Sequence, residues 1–253
     1  MEFIKNEMSG DILVVTLSRG KANALNAAMV EELISTISKA ESSGDVRAIV
    51  LASTNPKFFS PGFDVAEVFQ YPPAGMSAFF GRFIDLYEMM FRLPKPLVAA
   101  VSGHAYAGGA FLALACEARV MAMGDFGFSL NEINLGMVLP PGMIRMVTHA
   151  VGVAHAREMV LGGKSVSPAE ALEIGLASQV VEPGSLLDSA LALARELASK
   201  PPLAFGAVKR LLLEATGHHK TGNDRDYLDQ FLEHWFSLEA TRLKDALVAS
   251  MRR

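Results

Sequence analysis

The sequence predicts an α/β fold with a layered strand–helix core in its first part and a helical region in its last part. Two patterns carry this expectation. Short β-branched apolar runs, too brief for helices, alternate with longer stretches whose apolar residues recur at helical spacing. Beyond about residue 140 the strand-like runs thin out, and helical stretches separated by proline take over.

Ile12–Leu17 (ILVVTL) and Ala48–Leu51 (AIVL) read as buried strands. Between them Met29, Leu33, Ile34 and Ile37 share one helix face, which stops near Ser42–Ser43–Gly44. Phe79, Phe80, Phe83, Ile84, Tyr87, Met90 and Phe91 mark a second amphipathic helix, ended by Leu93–Pro94–Lys95–Pro96. A strand over Leu97–Val101, a glycine turn, a helix and a strand over Arg119–Met123 follow. Further on, Ser167–Pro168–Ala169–Glu170 carries a capping box with proline at the first helical position, and Gly175 suits the stop. Pro183 and Pro201–Pro202 separate further helices. From Asp224 to Arg253, the residues Leu228, Phe231, Leu232, Trp235, Leu238, Leu243 and Leu247 form a face too apolar for a solvated tail. Packing on the chain's own core and packing between subunits explain that face about equally well.

At 253 residues the chain fits one large domain, or one core with an appendage. A net charge of −4 gives no general attraction to nucleic acid or to an anionic membrane. The single cysteine, Cys116, excludes an internal disulfide and reads as core filler. The N-terminus shows no signal peptide, and Ser102, Gly103, His104, Gly108 and Gly109 interrupt the apolar stretch Leu97–Cys116, so a cytoplasmic enzyme without a membrane span is expected. His104, His149, His155, His218, His219 and His234 lack metal-ligand spacing, and His218–His219 lie in a polar, glycine-flanked loop. No G-x-S-x-G elbow supports a serine hydrolase.

Three segments can carry chemistry. In Phe58–Phe59–Ser60–Pro61–Gly62–Phe63–Asp64 the glycine permits a turn that points the next N–H at a ligand, and Asp64 suits the cap of a helix from Val65. In Gly103–Ala110 small residues let a ligand atom approach the backbone, and N–H groups opening a helix suit a developing oxyanion. Phosphate-binding readings fit this segment poorly. Gly109–Ala110 stand where a P-loop needs Lys and Ser/Thr, and Ala105 stands where a dinucleotide fingerprint needs glycine. In Ser129–Gly136, Glu132 sits among Phe126, Phe128, Leu130, Ile133 and Leu135, an apolar setting that would raise its pKa toward working pH. By spacing alone, a surface turn or helix-start glutamate accounts for Glu132 somewhat better.

In order and spacing, these segments resemble the crotonase family, the enoyl-CoA hydratase/isomerase superfamily. The likeness runs through Lys21–Ala22–Asn23–Ala24–Leu25–Asn26, Ser60–Pro61–Gly62–Phe63–Asp64, Ala107–Gly108–Gly109, Asn131–Glu132-x-x-Leu135–Gly136 and Ser167–Ala171, with Gly175–Leu176–Ala177 and Val180–Val181 following. The resemblance implies a crotonase-like spiral of ββα units over residues 1–195, binding acyl-CoA. It implies a C-terminal helical region over residues 196–253 that assembles a homotrimer or hexamer. It implies Phe63 and Gly108 N–H groups as the oxyanion hole, and Lys21, Ala22, Ala24, Leu25, Ser60, Gly62 and Asp64 along the coenzyme A moiety. No metal or redox cofactor is implied.

Hydratases of the family use two glutamates; here the first position holds Phe111 and the second holds Glu132. One carboxylate suffices for a 1,3-proton shift, and the Leu130–Asn131–Glu132 context resembles Δ3,Δ2-enoyl-CoA isomerases, so isomerisation leads. Apolar Met137–Val138–Leu139 leaves no nucleophilic aspartate for a dehalogenase. A hydratase or another enolate-forming member with a second acid such as Asp64 or Glu67 is the runner-up. A catalytically weak acyl-CoA or RNA-binding module is the alternative of another class, disfavoured for RNA by the negative charge.

Overall fold

A computed structural model describes residues 2–217 and 224–251, so His218 and His219 lie outside the described residues. The strands are β1 (Ile4–Ser9), β2 (Ile12–Leu17), β3 (Ala48–Ser53), β4 (Phe58–Ser60), β5 (Leu97–Val101), β6 (His104–Tyr106), β7 (Ala118–Ala122), β8 (Phe128–Ser129), β9 (Ser165–Val166) and β10 (Gln179–Val181). The helices are α1 (Ala27–Ser42), α2 (Val65–Val68), α3 (Pro73–Arg92), α4 (Gly108–Leu114), α5 (Pro141–Leu161), α6 (Pro168–Glu173), α7 (Leu186–Ala198), α8 (Pro202–Ala215), α9 (Leu228–Trp235) and α10 (Leu238–Met251).

A six-stranded sheet in the order β1-β2-β3-β5-β7-β10 is parallel except for the β1–β2 pair. Its central strands β3 and β5 are apolar along nearly their whole length because both faces are covered. On one face Val50, Val98 and Val120 pack with Ala190 and Leu191 of α7. On the other, Ile49, Leu51 and Met121 join the main core with α1 and α3. A second sheet, β4-β6-β8-β9, is made of two- and three-residue strands. Three of its strands run parallel, which places the loops that follow them side by side.

The strands expected over Ile12–Leu17 and Leu97–Val101 form with those bounds. The expected capping box at Ser167 and Glu170 forms with both of its hydrogen bonds, and Asp64 caps α2. Several strands differ from expectation: β7 runs over Ala118–Ala122, one residue earlier than expected, and β1, β4, β6, β8 and β9 carried no strand signal. β1 buries only Ile4 and is held by backbone pairing to β2, which leaves no hydrophobic period to read. The glycine turn after Val101 contains a strand, β6, because His104–Tyr106 pairs with β4 and β8.

The C-terminal helices return to their own chain. Phe231 stacks on Phe80 with ring centroids 3.6 Å apart, and Trp235 meets Phe69 edge-on at 5.3 Å. Lys244 Nζ donates to the Trp235 carbonyl at 2.7 Å and lies 4.5 Å from the indole, which fastens α10 to α9. Phe231 and Trp235 are therefore spent inside one chain, whereas Leu238 is exposed. Cys116 is buried and its thiol pKa is pushed up by burial, as suits core filler. Among the described residues no helix is long and apolar enough to cross a membrane.

Phe231→Ala should destabilise the fold by about 3 kcal/mol, the low end for a truncated core aromatic. Urea unfolding followed by circular dichroism checks this; an unchanged midpoint would mean that α9 adds nothing to the core.

Candidate active site

Leu25 and Phe63 form a single parallel bridge. The Leu25 N–H donates to the Gly62 carbonyl at 2.7 Å, and the Asp64 N–H donates to the Leu25 carbonyl at 2.8 Å. In such a bridge the residue between the two contacts turns its own N–H and C=O the other way. The Phe63 N–H thus points away from Leu25 and has no partner among the described residues.

The second donor comes from α4. Gly108 is its first residue, so its N–H has no intrahelical acceptor, and it too is unpaired among the described residues. Ala107 before it holds φ 48°, ψ −124°, a region costing a non-glycine residue about 1–3 kcal/mol. The Ala107 N–H donates to the Ser129 carbonyl at 2.9 Å, which ties this turn to β8.

Glycine is required where the two turns meet. Gly62 has φ +93°, and a Cβ there would lie 3.0 Å from the Ala107 Cβ and 3.1 Å from Gly108 N. A Cβ on Gly109 would fall 2.2 Å from the Ser60 carbonyl oxygen. Backbone pressed on backbone brings the Phe63 and Gly108 turns into contact, as two donors for one oxygen require.

Phe63, Gly108 and Glu132 line the same cleft, about 690 Å³ of atom-free space that is partly open to solvent. Pro61, Phe111 and Asn131 line it too, with a wall of Phe69, Phe80, Phe83, Leu135, Met137 and Met143. Glu132 opens a single 3₁₀ turn, Glu132–Leu135, three residues beyond the β8 residue that holds Ala107. Its carboxyl is pushed up to about 7 by burial, opposed only by a hydrogen bond from its own backbone N–H. Its Oε2 is buried and unpartnered among the described residues. The enclosure differs in part from expectation: Phe128 and Leu130 are buried, but Ile133 is exposed, and the apolar wall comes from the cleft.

The remaining expected site residues do not line the cleft. They form the two loops beside it. Lys21 is exposed, Ala22 and Ala24 are half-buried, and Leu25, Ser60 and Gly62 are buried. Ser60 Oγ donates to the Asn23 carbonyl at 2.8 Å, which joins the loops. The Asp64 carboxylate is committed. Oδ1 accepts from the Ala66 and Glu67 N–H groups, and Oδ2 accepts from Arg19 at 2.7 Å. Glu67 accepts from Tyr71 at 2.6 Å and from Asn26 at 2.8 Å. Neither is a free second acid facing the cleft.

Sequence reasoning missed Ala107, whose strain has no sequence signal, and the closing residues Phe231, Trp235 and Leu247, whose apolar pattern marked burial but not its location. Among the described residues no cluster of His, Cys, Asp and Glu is arranged to hold a metal ion.

A family model described as enoyl-CoA hydratase/isomerase matches residues 7–245. The chain is 32% identical over 212 residues to the short-chain-enoyl-CoA hydratase of Clostridium acetobutylicum, covering 81% of this chain and 79% of that protein. It is 35% identical over 205 residues to the carnitinyl-CoA dehydratase of Escherichia coli K12, covering 80% and 77%. Among solved structures, human mitochondrial Δ3-Δ2-enoyl-CoA isomerase shares the fold with a TM-score of 0.94 at 23% identity, over 99% of this chain and 98% of that one.

The raised pKa of Glu132 fixes a sign for stability. The folded chain holds a proton that an unfolded glutamate has released, so this contribution is full below the ordinary pKa of 4.5 and is lost as pH rises through about 7. Glu132→Gln should therefore gain stability relative to wild type between about pH 5 and pH 8, and carboxyl NMR should show Glu132 titrating near 7. A difference in urea midpoint that does not change with pH, with titration near 4.5, would contradict the desolvated carboxyl.

Proposed function

The chain belongs to the enoyl-CoA hydratase/isomerase family, and from that premise we propose that it moves a double bond from the 3- to the 2-position of an enoyl-CoA. It is an acyl-CoA enzyme of that family; the isomerase assignment is carried by Glu132, the one acid among the described residues that line its cleft. Glu132 is half-buried there, with its Oε2 buried and without a partner among the described residues, and Phe111, one turn into α4, is fully buried where a second carboxylate would stand.

In this reading the thioester oxygen sits between the Phe63 and Gly108 N–H groups. Removing the C2 proton puts negative charge on that oxygen, and fixed donors stabilise the charge more than the neutral ground state. Glu132 takes the proton from C2 and returns it at C4, while the double bond moves from C3=C4 to C2=C3. A carboxyl near 7 suits both halves of the relay, since it can accept and donate at neutral pH. Lys21–Leu25 and Ser60–Asp64 flank the coenzyme A moiety. Asp64 contributes through its cap and its Arg19 pair.

Hydration of a 2-enoyl-CoA is the second reading, favoured by the hydratase and dehydratase names of relatives at 32% and 35% identity. The two readings part on one measurement. Supplied separately with 3-enoyl-CoA and 2-enoyl-CoA and followed by absorbance and mass, the wild type should isomerise much faster than it hydrates. Glu132→Gln should lose about 10²–10⁴-fold in isomerisation while still binding acyl-CoA. Hydration equal to or faster than isomerisation would overturn the isomerase reading.

The helical region over residues 196–253 also serves assembly in this proposal. Leu203, Val208, Leu211 and Leu212 of α8 are exposed, a run of apolar side chains on one short helix. A trimer, or a hexamer built from trimers, is expected by light scattering, and a stable monomer at micromolar concentration would contradict it.

A further inference from the structure

Arg19 lies two residues beyond the end of β2 and does not line the cleft, yet it joins the two segments that present Phe63. Its Nη1 donates to the Ala24 carbonyl at 2.8 Å and to Asp64 Oδ2 at 2.7 Å. Ala24 and Asp64 immediately flank the Leu25–Phe63 bridge, one on each chain segment. The backbone N–H of Arg19 meets Asn23 Oδ1 at 2.7 Å, and its guanidinium lies 5.4 Å from the Phe3 ring. The Arg19 and Asp64 side chains are 18% and 21% exposed, so solvent screens their pair only in part.

An isolated bridge has no neighbouring ladder bonds to keep its register. The two bonds through Leu25 set the direction of the Phe63 N–H, and packing on Ala107 and Gly108 holds Gly62 from one side only. Arg19 supplies the missing constraint from the side, as a charge-assisted pair across the bridge. We propose that Arg19 is a positioning residue, locking the Phe63 N–H against the thioester oxygen by bridging Ala24 and Asp64. The inference rests on the oxyanion reading of the cleft given above.

The test reads the carbonyl itself. A carbonyl-¹³C-labelled saturated acyl-CoA, of the chain length the wild type turns over best, is bound to each protein and its C=O stretch is measured by infrared difference spectroscopy. Wild type should shift the stretch to lower frequency. Arg19→Met, folded by circular dichroism, should retain less than about half of that shift. It should lose about 10- to 100-fold in kcat with KM within about threefold of wild type, as misplacement of a reacting group by a fraction of an ångström implies. Arg19→Lys keeps the charge but not the planar fork and should fall between the two. If Arg19→Met does not fold, Arg19→Lys decides: an intermediate shift supports the inference, and a full wild-type shift overturns it. A full shift and unchanged kcat in folded Arg19→Met would overturn the inference alone. No shift in wild type would overturn the oxyanion reading and the inference with it.

Discussion

The site depends on two turns packed backbone to backbone. Ser60–Gly62 and Ala107–Gly109 lie so close that a side chain at Gly62 or Gly109 would collide with main-chain atoms. That approach sets two N–H groups, unpaired among the described residues and far apart in sequence, at one wall of one cleft. The strands of the second sheet are short because their task is local. Parallel β4, β6 and β8 need only enough pairing to hold three successive loops in register. The strained Ala107 persists because its neighbours over-determine it, with its N–H held by Ser129 and its carbonyl accepting from Phe111.

Carboxylates in adjacent parts of the fold show how environment assigns roles. Asp64 is paired with Arg19 and accepts two helix N–H groups, so its charge is fully used in holding a loop. Among the described residues Glu132 meets no counter-charge and only its own N–H in support, so burial dominates and its proton is held to about 7. The first arrangement fixes geometry. The second leaves a group whose protonation changes at neutral pH, which is the property a proton relay needs.

Much of the fold was legible because burial on both faces of the large sheet writes itself as nearly unbroken apolar runs, as in Ile12–Leu17 and Leu97–Val101. Glycine and capping signals located the turns at Gly62, Gly108 and Ser167. β1 and β6 escaped notice for a physical reason: each is fixed by main-chain pairing, and β1 leaves most of its side chains in water. Glu132 could be picked out, but its burial could not be derived from its neighbours, since Ile133 faces outward and the enclosing wall comes from α3, α4 and α9. The Arg19–Asp64 pair spans 45 residues, and no local pattern announces a contact of that range.

The wall around Glu132 links two properties that might otherwise be treated separately. Phe111, Phe80, Phe83 and the C-terminal Phe231 and Trp235 remove water from the carboxyl, which raises its pKa. The same rings leave few polar atoms to hold a water molecule for attack on a conjugated double bond. A second carboxylate at position 111 would do more than add a base. It would place another negative charge in the same desolvated space, so that the two groups would titrate as a pair and one would stay protonated near neutrality. Hydration by two carboxylates and proton relay by one thus call for cleft walls of different polarity. In the proposed proton relay, the aromatic closure supplied by α9 would serve the chemistry as well as the core.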